Sequence, residues 1–265
     1  MKYQIDHDLH IHSNISLCSG DPAQTPKRIL QYAVENGLHT VCLTDHFWDE
    51  AVPDLPSSWY KGQGISHISA ALPLPKTDGV RFLFGCETEL DRDLTLGVAK
   101  EHFDLFDFIV IPTTHMHMHG FTVSEEDIRD ARTRAGAWVK RFDAVLNMDL
   151  PFYKVGIAHM TCSLIAKERA DYLATLEALP EAEMRRIFTR AARLGVGIEL
   201  NEVFSDEEAD LILRPYRIAR ECGCKFYLGS DAHTVSGLER AMDKFARMID
   251  FLDLTEDDKF TFVKK

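Results

Sequence analysis

The chain has 265 residues, 45% of them hydrophobic and 27% charged, an ordinary globular composition long enough to bury a full core. Its formal charge of −12 repels polyanions, which argues against general nucleic-acid binding and against attachment to an anionic membrane surface. No apolar stretch approaches the ~20 residues of a bilayer span and no signal-peptide core stands at the N-terminus, so the expectation is a cytoplasmic protein with no membrane partner.

Strand-like apolar runs alternate with helical periodicity along the sequence. The first run, 8–12, reads Asp8-Leu9-His10-Ile11-His12, and alternate residues of a strand share a face, so His10 and His12 point the same way. A helix is expected over 26–35, stopped by Gly37, before a second run at 40–44 that leads into Thr44-Asp45-His46. The segment 49–75 is long for one connection; with Trp48, Trp59 and Tyr60 it reads as a pocket cover or as a surface excursion with a small helix at 64–72. Runs at 81–87 and 106–113 lead to Glu87 and His115, followed by a helix over 124–147. The run 153–159 ends on His159, and Pro180 with Glu181 and Glu183 marks the start of a helix over 180–194, stopped by Gly195. A run at 197–201, a helix at 207–221, a run at 225–230 and a helix at 238–252 complete the alternation.

Repeated strand–helix alternation demands right-handed crossovers and a parallel sheet. Seven strands with outer helices suggest a closed or nearly closed α/β barrel, read as a single domain over 1–265. The histidines and carboxylates sit at or near the C-terminal ends of the runs, the rim on which such barrels build their sites. The six cysteines, without an export signal, do not suggest a disulfide framework; Cys42 and Cys86 read as small buried hydrophobes, and Cys222-Gly-Cys224 falls on the opposite rim.

Imidazole and carboxylate are the ligands that borderline and hard divalent cations prefer, and a ligand must project from a rigid element into a shared pocket. His10, His12, His46, Glu87, His115, His159, Asp231 and His233 satisfy this jointly and point to a multinuclear metal site. His7, His39, His67 and His102 fit no strand-end pattern and read as ordinary polar residues. Asp45, next to His46, reads as a carboxylate that orients an imidazole, or as a further metal-facing group.

Taken together, Asp8-Leu9-His10-Ile11-His12-Ser13, Leu43-Thr44-Asp45-His46, Gly156-Ile157-Ala158-His159 and Gly229-Ser230-Asp231-Ala232-His233 resemble the PHP superfamily, the polymerase and histidinol phosphatase domains. Gly85-Cys86-Glu87 and Thr113-Thr114-His115 match two further family positions. The resemblance implies a distorted (β/α)7 barrel holding two or three divalent ions (zinc, manganese or iron) and hydrolysis of phosphoesters. It implies His10, His12, Glu87 and Asp231 around one metal pair, with His46, His115, His159 and His233 serving the remaining positions. Where many members carry a further His or Asp, this chain has Cys18, with Asp21 just beyond; a Cys18 thiolate would favour zinc, and Asp21 would suit manganese, iron or zinc.

The chemistry expected of such a site is attack by a metal-bridging hydroxide, with Glu87 as the bridge and Asp231 or a nearby histidine, His233 among them, as proton donor. Arg92 and Arg214 are candidates to grip phosphate, and His117 to line the substrate mouth. The reading is a phosphomonoesterase for small phosphorylated metabolites. Histidinol phosphate is the first named candidate, and a nucleotide or short-oligonucleotide phosphodiesterase the next. An amidohydrolase would commonly carry a carbamylated lysine on the fourth strand, where this chain has Thr113-Thr114-His115. A non-catalytic metal-binding module would be expected to have lost ligands.

Overall fold

The structure, a computed structural model, describes residues 1–53 and 59–262. Its strands are β1 (His7–Ile11), β2 (Thr40–Leu43), β3 (His46–Phe47), β4 (Arg81–Phe84), β5 (Cys86–Thr88), β6 (Ile109–Pro112), β7 (Val155–Ala158), β8 (Gly197–Leu200) and β9 (Lys225–Leu228). Every strand pairing is parallel, in two sheets ordered β1-β2-β4 and β3-β5-β6-β7-β8-β9. Seven strand positions are thus filled by nine pieces. The third expected strand breaks at Gly85, and a two-residue strand, β3, follows the second beyond its expected end; the pairing passes from one sheet to the other at both places, which distorts the barrel.

Gly85 sits at one break, donating its N–H to Leu43 O at 2.8 Å while Cys86 N–H turns to Phe108 O. A Cβ at Gly85 would lie 2.4 Å from Phe108 O, so only glycine admits that close approach. The ring meets itself where the chain leaves β9: Asp231 N–H donates to His10 O at 2.7 Å and His12 N–H to Ala232 O at 3.1 Å. The Asp8 carboxylate reinforces this seam by accepting from Ser230 N–H and from Tyr32 Oη.

Among the described residues eight α-helical segments accompany the strands: α1 (Pro26–Glu35), α2 (Ile65–Ile68), α3 (Ala131–Asn147), α4 (Arg169–Ala178), α5 (Glu181–Leu194), α6 (Ala209–Ile212), α7 (Arg214–Glu221) and α8 (Val235–Leu252). Thr25 caps α1 through Arg28 N–H, with Pro26 in the first turn where no donor is needed. The expected helix over 124–147 begins only at 131, because Asp130 and Thr133 form a reciprocal capping box there. The expected helix over 207–221 is two pieces, with Pro215 in the first turn of α7. Helix α4 was not expected, and α8 starts at Val235, three residues early, capped by Thr234.

Two apolar layers result. Leu9, Cys42, Leu83, Val110 and Tyr227, drawn from five different strands, fill the inside with Phe108 and Phe260 packed among them. A larger layer between strands and helices contains Ile11, Val41, Ile109, Ile111, Trp138, Phe142, Phe188 and Phe245. The β1–β2 register shifts between Asp8 and Ile11. That bulge relaxes strict alternation: Leu9 joins the inner layer, Ile11 the outer one, and His10 and His12 both remain free to face the rim. Within the long connection, α2 and a short turn at Ser69–Ala71 form the small helix expected at 64–72, and residues 54–58 lie outside the described residues. Among the described residues no helix is long and apolar enough to cross a membrane.

Candidate metal centre

Four overlapping groups of donor atoms converge at the C-terminal rim, each with all its atoms within 4.8 Å of one another. They are His10, His12, Glu87 and Asp231; Glu87, His115 and His159; His12, Cys18, His46 and His233; and His10, His159 and Glu199. His10 and His12 come from β1 and its end, His46 from β3, Glu87 from β5, Glu199 from β8, and the others from loops that follow strands. His159 and Asp231 adopt φ of +56° and +52°, a left-handed backbone that costs a non-glycine residue free energy and is retained mainly where function needs it.

The centre of the cluster is Glu87. Its Oε2 lies 2.9 Å from His46 Nδ1, 3.2 Å from His12 Nε2 and 3.6 Å from His10 Nε2, while Oε1 is 3.2 Å from His159 Nε2. Asp231 Oδ1 is 3.2 Å from His12 Nε2 and 3.4 Å from His10 Nε2. Although imidazole nitrogens surround Glu87 Oε2 and Asp231 Oδ1, both oxygens are buried and no hydrogen bond of proper geometry reaches either. The Nε2 atoms of His10 and His12 face each other at 3.1 Å. Two zinc–nitrogen bonds at a tetrahedral angle would separate their nitrogens by roughly 3.3 Å. Orphaned oxygens beside convergent imidazole lone pairs fit divalent cations.

Three of the imidazoles are fixed from behind. Glu199 Oε1 lies 2.6 Å from His10 Nδ1, Glu89 Oε2 lies 2.8 Å from His115 Nδ1, and Ser16 Oγ lies 3.1 Å from His12 Nδ1. Such partners set the tautomer and leave the opposite nitrogen for a cation. Glu89 is itself held by buried Arg141 of α3, which also donates to the carbonyls of Leu90, Thr113 and Thr122. The sequence reading passed over Glu89 and Glu199. The signal for Glu199 was a carboxylate inside an apolar strand, where burial demands a partner. Asp45 neither faces the donor cluster nor orients an imidazole: its carboxylate accepts from Ser13 N–H and Ser13 Oγ, both at 2.7 Å, and so holds the loop after His12.

Without cations the cluster shares protons among these groups. Burial pulls the His10 pKa down, but Glu199, Glu87 and Asp231 outweigh it and leave it well above the ordinary value. His12 is raised against burial by Asp231 and Glu87, and His159 is raised to about 9 against burial by Asp231, Glu87 and Glu199. Burial opposes ionisation of Glu87 and Asp231, yet the surrounding imidazoles hold both well below the carboxylate range. His46 is lowered by burial and His233 falls to about 4 through burial and neighbouring His12. Cations need these nitrogens deprotonated, so metal loading releases protons.

A cavity of about 350 Å³ opens over the cluster, lined by the donor residues Cys18, His46, Glu87, His115, His159, Asp231 and His233 together with Trp59, Tyr60, His117, Met118 and Leu164. His117 therefore stands at the cavity, as expected. Three sequence candidates stand elsewhere. Asp21 accepts from Ala23 N–H and Val235 N–H at 2.9 Å each, tying the loop to the start of α8, and belongs to none of the donor groups. Arg214 opens α7 and donates to the carbonyls of Leu176 and Leu179, which end α4 and need donors. Arg92 is exposed beside Asp93 and borders a separate small cleft with Arg141. An arginine's number along the chain says little about where its long side chain ends. The two cysteines of Cys222-Gly-Cys224 are free thiols away from the donor groups, and His7, His67 and His102 bond to Leu228 N–H, Ile15 O and Asp49.

A family model described as PHP domain matches residues 8–203, which is most of the chain and all but the last two rim donors. The chain belongs to the PHP domain family. No curated protein matches it. Among solved structures, this PHP chain is similar to the histidinol phosphate phosphatase of Lactococcus lactis subsp. lactis Il1403, complexed with zinc, L-histidinol and phosphate. Identity is 16%, the TM-score is 0.56, and the match covers 97% of this chain and 98% of that one. It is also similar to a putative histidinol phosphatase of Listeria monocytogenes, at 15% identity and a TM-score of 0.60, covering 90% of this chain and 99% of that one. At these identities the likeness establishes a shared fold.

Proposed function

We propose that this metal-dependent phosphoesterase cleaves phosphomonoesters of small metabolites, using two or three divalent cations of zinc, manganese or iron. The observation that carries the proposal is the position of Glu87, whose two buried oxygens face different imidazole groups, His10, His12 and His46 on one side and His159 on the other. A carboxylate so placed would hold two neighbouring cations, with the imidazoles on either side of it. When bound, divalent cations lower the pKa of a coordinated water towards ~7 and neutralise phosphoryl oxygens, so no serine or cysteine nucleophile is required.

The chain's own residues supply placement and proton handling. Glu199, Glu89 and Ser16 hold the rings of His10, His115 and His12 in fixed orientations. Asp231, ionised at rest and lining the cavity beside these histidines, is our candidate to relay a proton to the departing alcohol, with His233 Nδ1 held 2.8 Å from Asp231 O beside it. A cavity of this size and a net charge of −12 favour a small terminal phosphate over a long polyanion. The partners expected are small phosphorylated molecules rather than nucleic acid or membrane.

The test is phosphate release from histidinol phosphate, nucleoside monophosphates and long single-stranded DNA, before and after chelation. Activity should vanish on metal removal and return with zinc or manganese, with the small esters cleaved far faster than the DNA. Glu87→Gln should lose bound metal and lower turnover by roughly 10²-fold or more, with an unchanged circular-dichroism spectrum. Full activity of the metal-free protein, or an unaltered Glu87→Gln variant, would overturn the reading.

A further inference from the structure

The cavity lining is of two unlike kinds. One is the donor residues, and the acidic groups among them, Glu87 and Asp231, belong to the metal cluster. The other is formed by Trp59, Tyr60, Met118 and Leu164, with His117 beside them, and no described lining residue is a lysine or arginine. Trp59 meets the ligand cluster edge-on, its ring centroid 4.9 Å from that of His46 at 76°. It leans at 88° on Tyr60, which is buried against Trp48 and Phe121 with centroids 5.9 and 5.4 Å away. That backing makes this part of the lining a rigid aromatic surface, while Met118 adapts to the shape set against it. Leu164 is 37% exposed, a large apolar side chain left uncovered at the cavity mouth.

A phosphomonoester docked with its phosphoryl group at the metal cluster has the aromatic and apolar part of the lining left for its alcohol portion. A protonated amine there would leave water without a carboxylate of its own, at a cost larger than the ~0.5–2 kcal/mol that an aromatic face returns to a cation. An uncharged ring or alkyl group would gain burial and ring contacts instead. We propose that the preferred substrates are phosphomonoesters of uncharged, apolar alcohols, aralkyl ones above all, with Trp59 as the specificity-determining residue. This rests on the phosphoesterase reading for the placement of the phosphoryl group, and it argues against a cationic amino alcohol such as histidinol as the leaving group.

The experiment separates binding from turnover. Zinc-loaded protein is titrated by calorimetry with 2-phenylethylphosphonate, 2-aminoethylphosphonate and methylphosphonate, none of which is a phosphoester. The phenylethyl compound should bind at least about tenfold tighter than the aminoethyl one. Trp59→Ala should remove about tenfold of that affinity and leave methylphosphonate within about twofold, and Trp59→Phe should keep most of it. Equal affinities, tighter binding of the amine, or a Trp59→Ala loss shared equally by methylphosphonate would overturn the proposal. Phosphate release from 2-phenylethyl phosphate, histidinol phosphate and ethyl phosphate is followed alongside. No release from any ester, with the aryl preference retained, defeats the phosphoesterase reading and leaves the leaving-group pocket standing. Release from all three, with no preference in binding or in kcat/KM, defeats the pocket alone.

Discussion

Cys18 is the one thiol among the imidazoles and carboxylates of the donor groups, and it sits with His12, His46 and His233. Although the residue is exposed at the cavity mouth, partial burial and then the charges of Glu87 and Asp231 push its thiol up to about 12. Such a thiol ligates only when a cation displaces its proton. Asp21, the competing candidate, has both oxygens committed to backbone N–H groups. Cobalt(II)-loaded protein should therefore show a sulfur-to-metal charge-transfer band that is lost in Cys18→Ser and kept in Asp21→Asn. A band that survives Cys18→Ser would remove Cys18 from the site. At this scale the sequence was most legible where chemistry narrows the residue type. Histidines at strand ends have few other reasons to cluster, whereas Glu89 and Glu199 looked like any carboxylate until burial exposed their partners.

Elements were legible where apolar periodicity was strong and obscure where a local device overrode it. The five long expected helices all have counterparts, but Asp130 with Thr133, and Pro215, moved or divided two of them through capping and a missing donor. The two strand breaks fall at Thr44-Asp45, at the end of the second expected run, and at Gly85 inside the third, where a lone glycine also fits an unbroken strand. Gly229, just past β9, shows how tightly an element can govern the site. A Cβ there would lie 2.1 Å from Glu199 Oε1 and 2.8 Å from His10 Cβ, the pair that orients the first metal-facing imidazole. Gly229→Ala should therefore cost about 1–3 kcal/mol through overpacking. Metal stoichiometry should fall by the ion that His10 serves, and Tm by roughly 2–10 °C. Full metal content with an unchanged Tm would mean that the His10–Glu199 pair has more room than its geometry implies.

On the scale of the molecule, strand–helix alternation sufficed to expect a parallel barrel with its chemistry on one rim. The other rim was not legible, because the segments that cover it have no period. There residues 2–7 meet residues 254–260: Tyr3 N–H donates to Leu254 O, Tyr3 Oη to Phe226 O at 2.7 Å, and Phe260 enters the inner layer. Asp6 joins the two segments, 2.7 Å from His7 Nδ1 and 3.0 Å from Lys259 Nζ. Burial alone would raise its pKa, but His7 and Lys259 prevail and hold it at about 2, below the ordinary 3.8. A carboxylate with a folded pKa below its unfolded value stabilises the fold fully above the unfolded value, and that stability drains away as pH falls through the folded one. Because Asp6 is more than a third exposed, solvent screening keeps the contribution small. Asp6→Asn should thus lower Tm at pH 7 by roughly 2 °C or less, and the deficit should shrink between pH ~4 and ~2 until the two proteins unfold together. Thermal unfolding followed across that range decides it: a deficit that stays constant down to pH ~2 would place the effect in packing rather than in the charge that ties the two ends of the barrel floor.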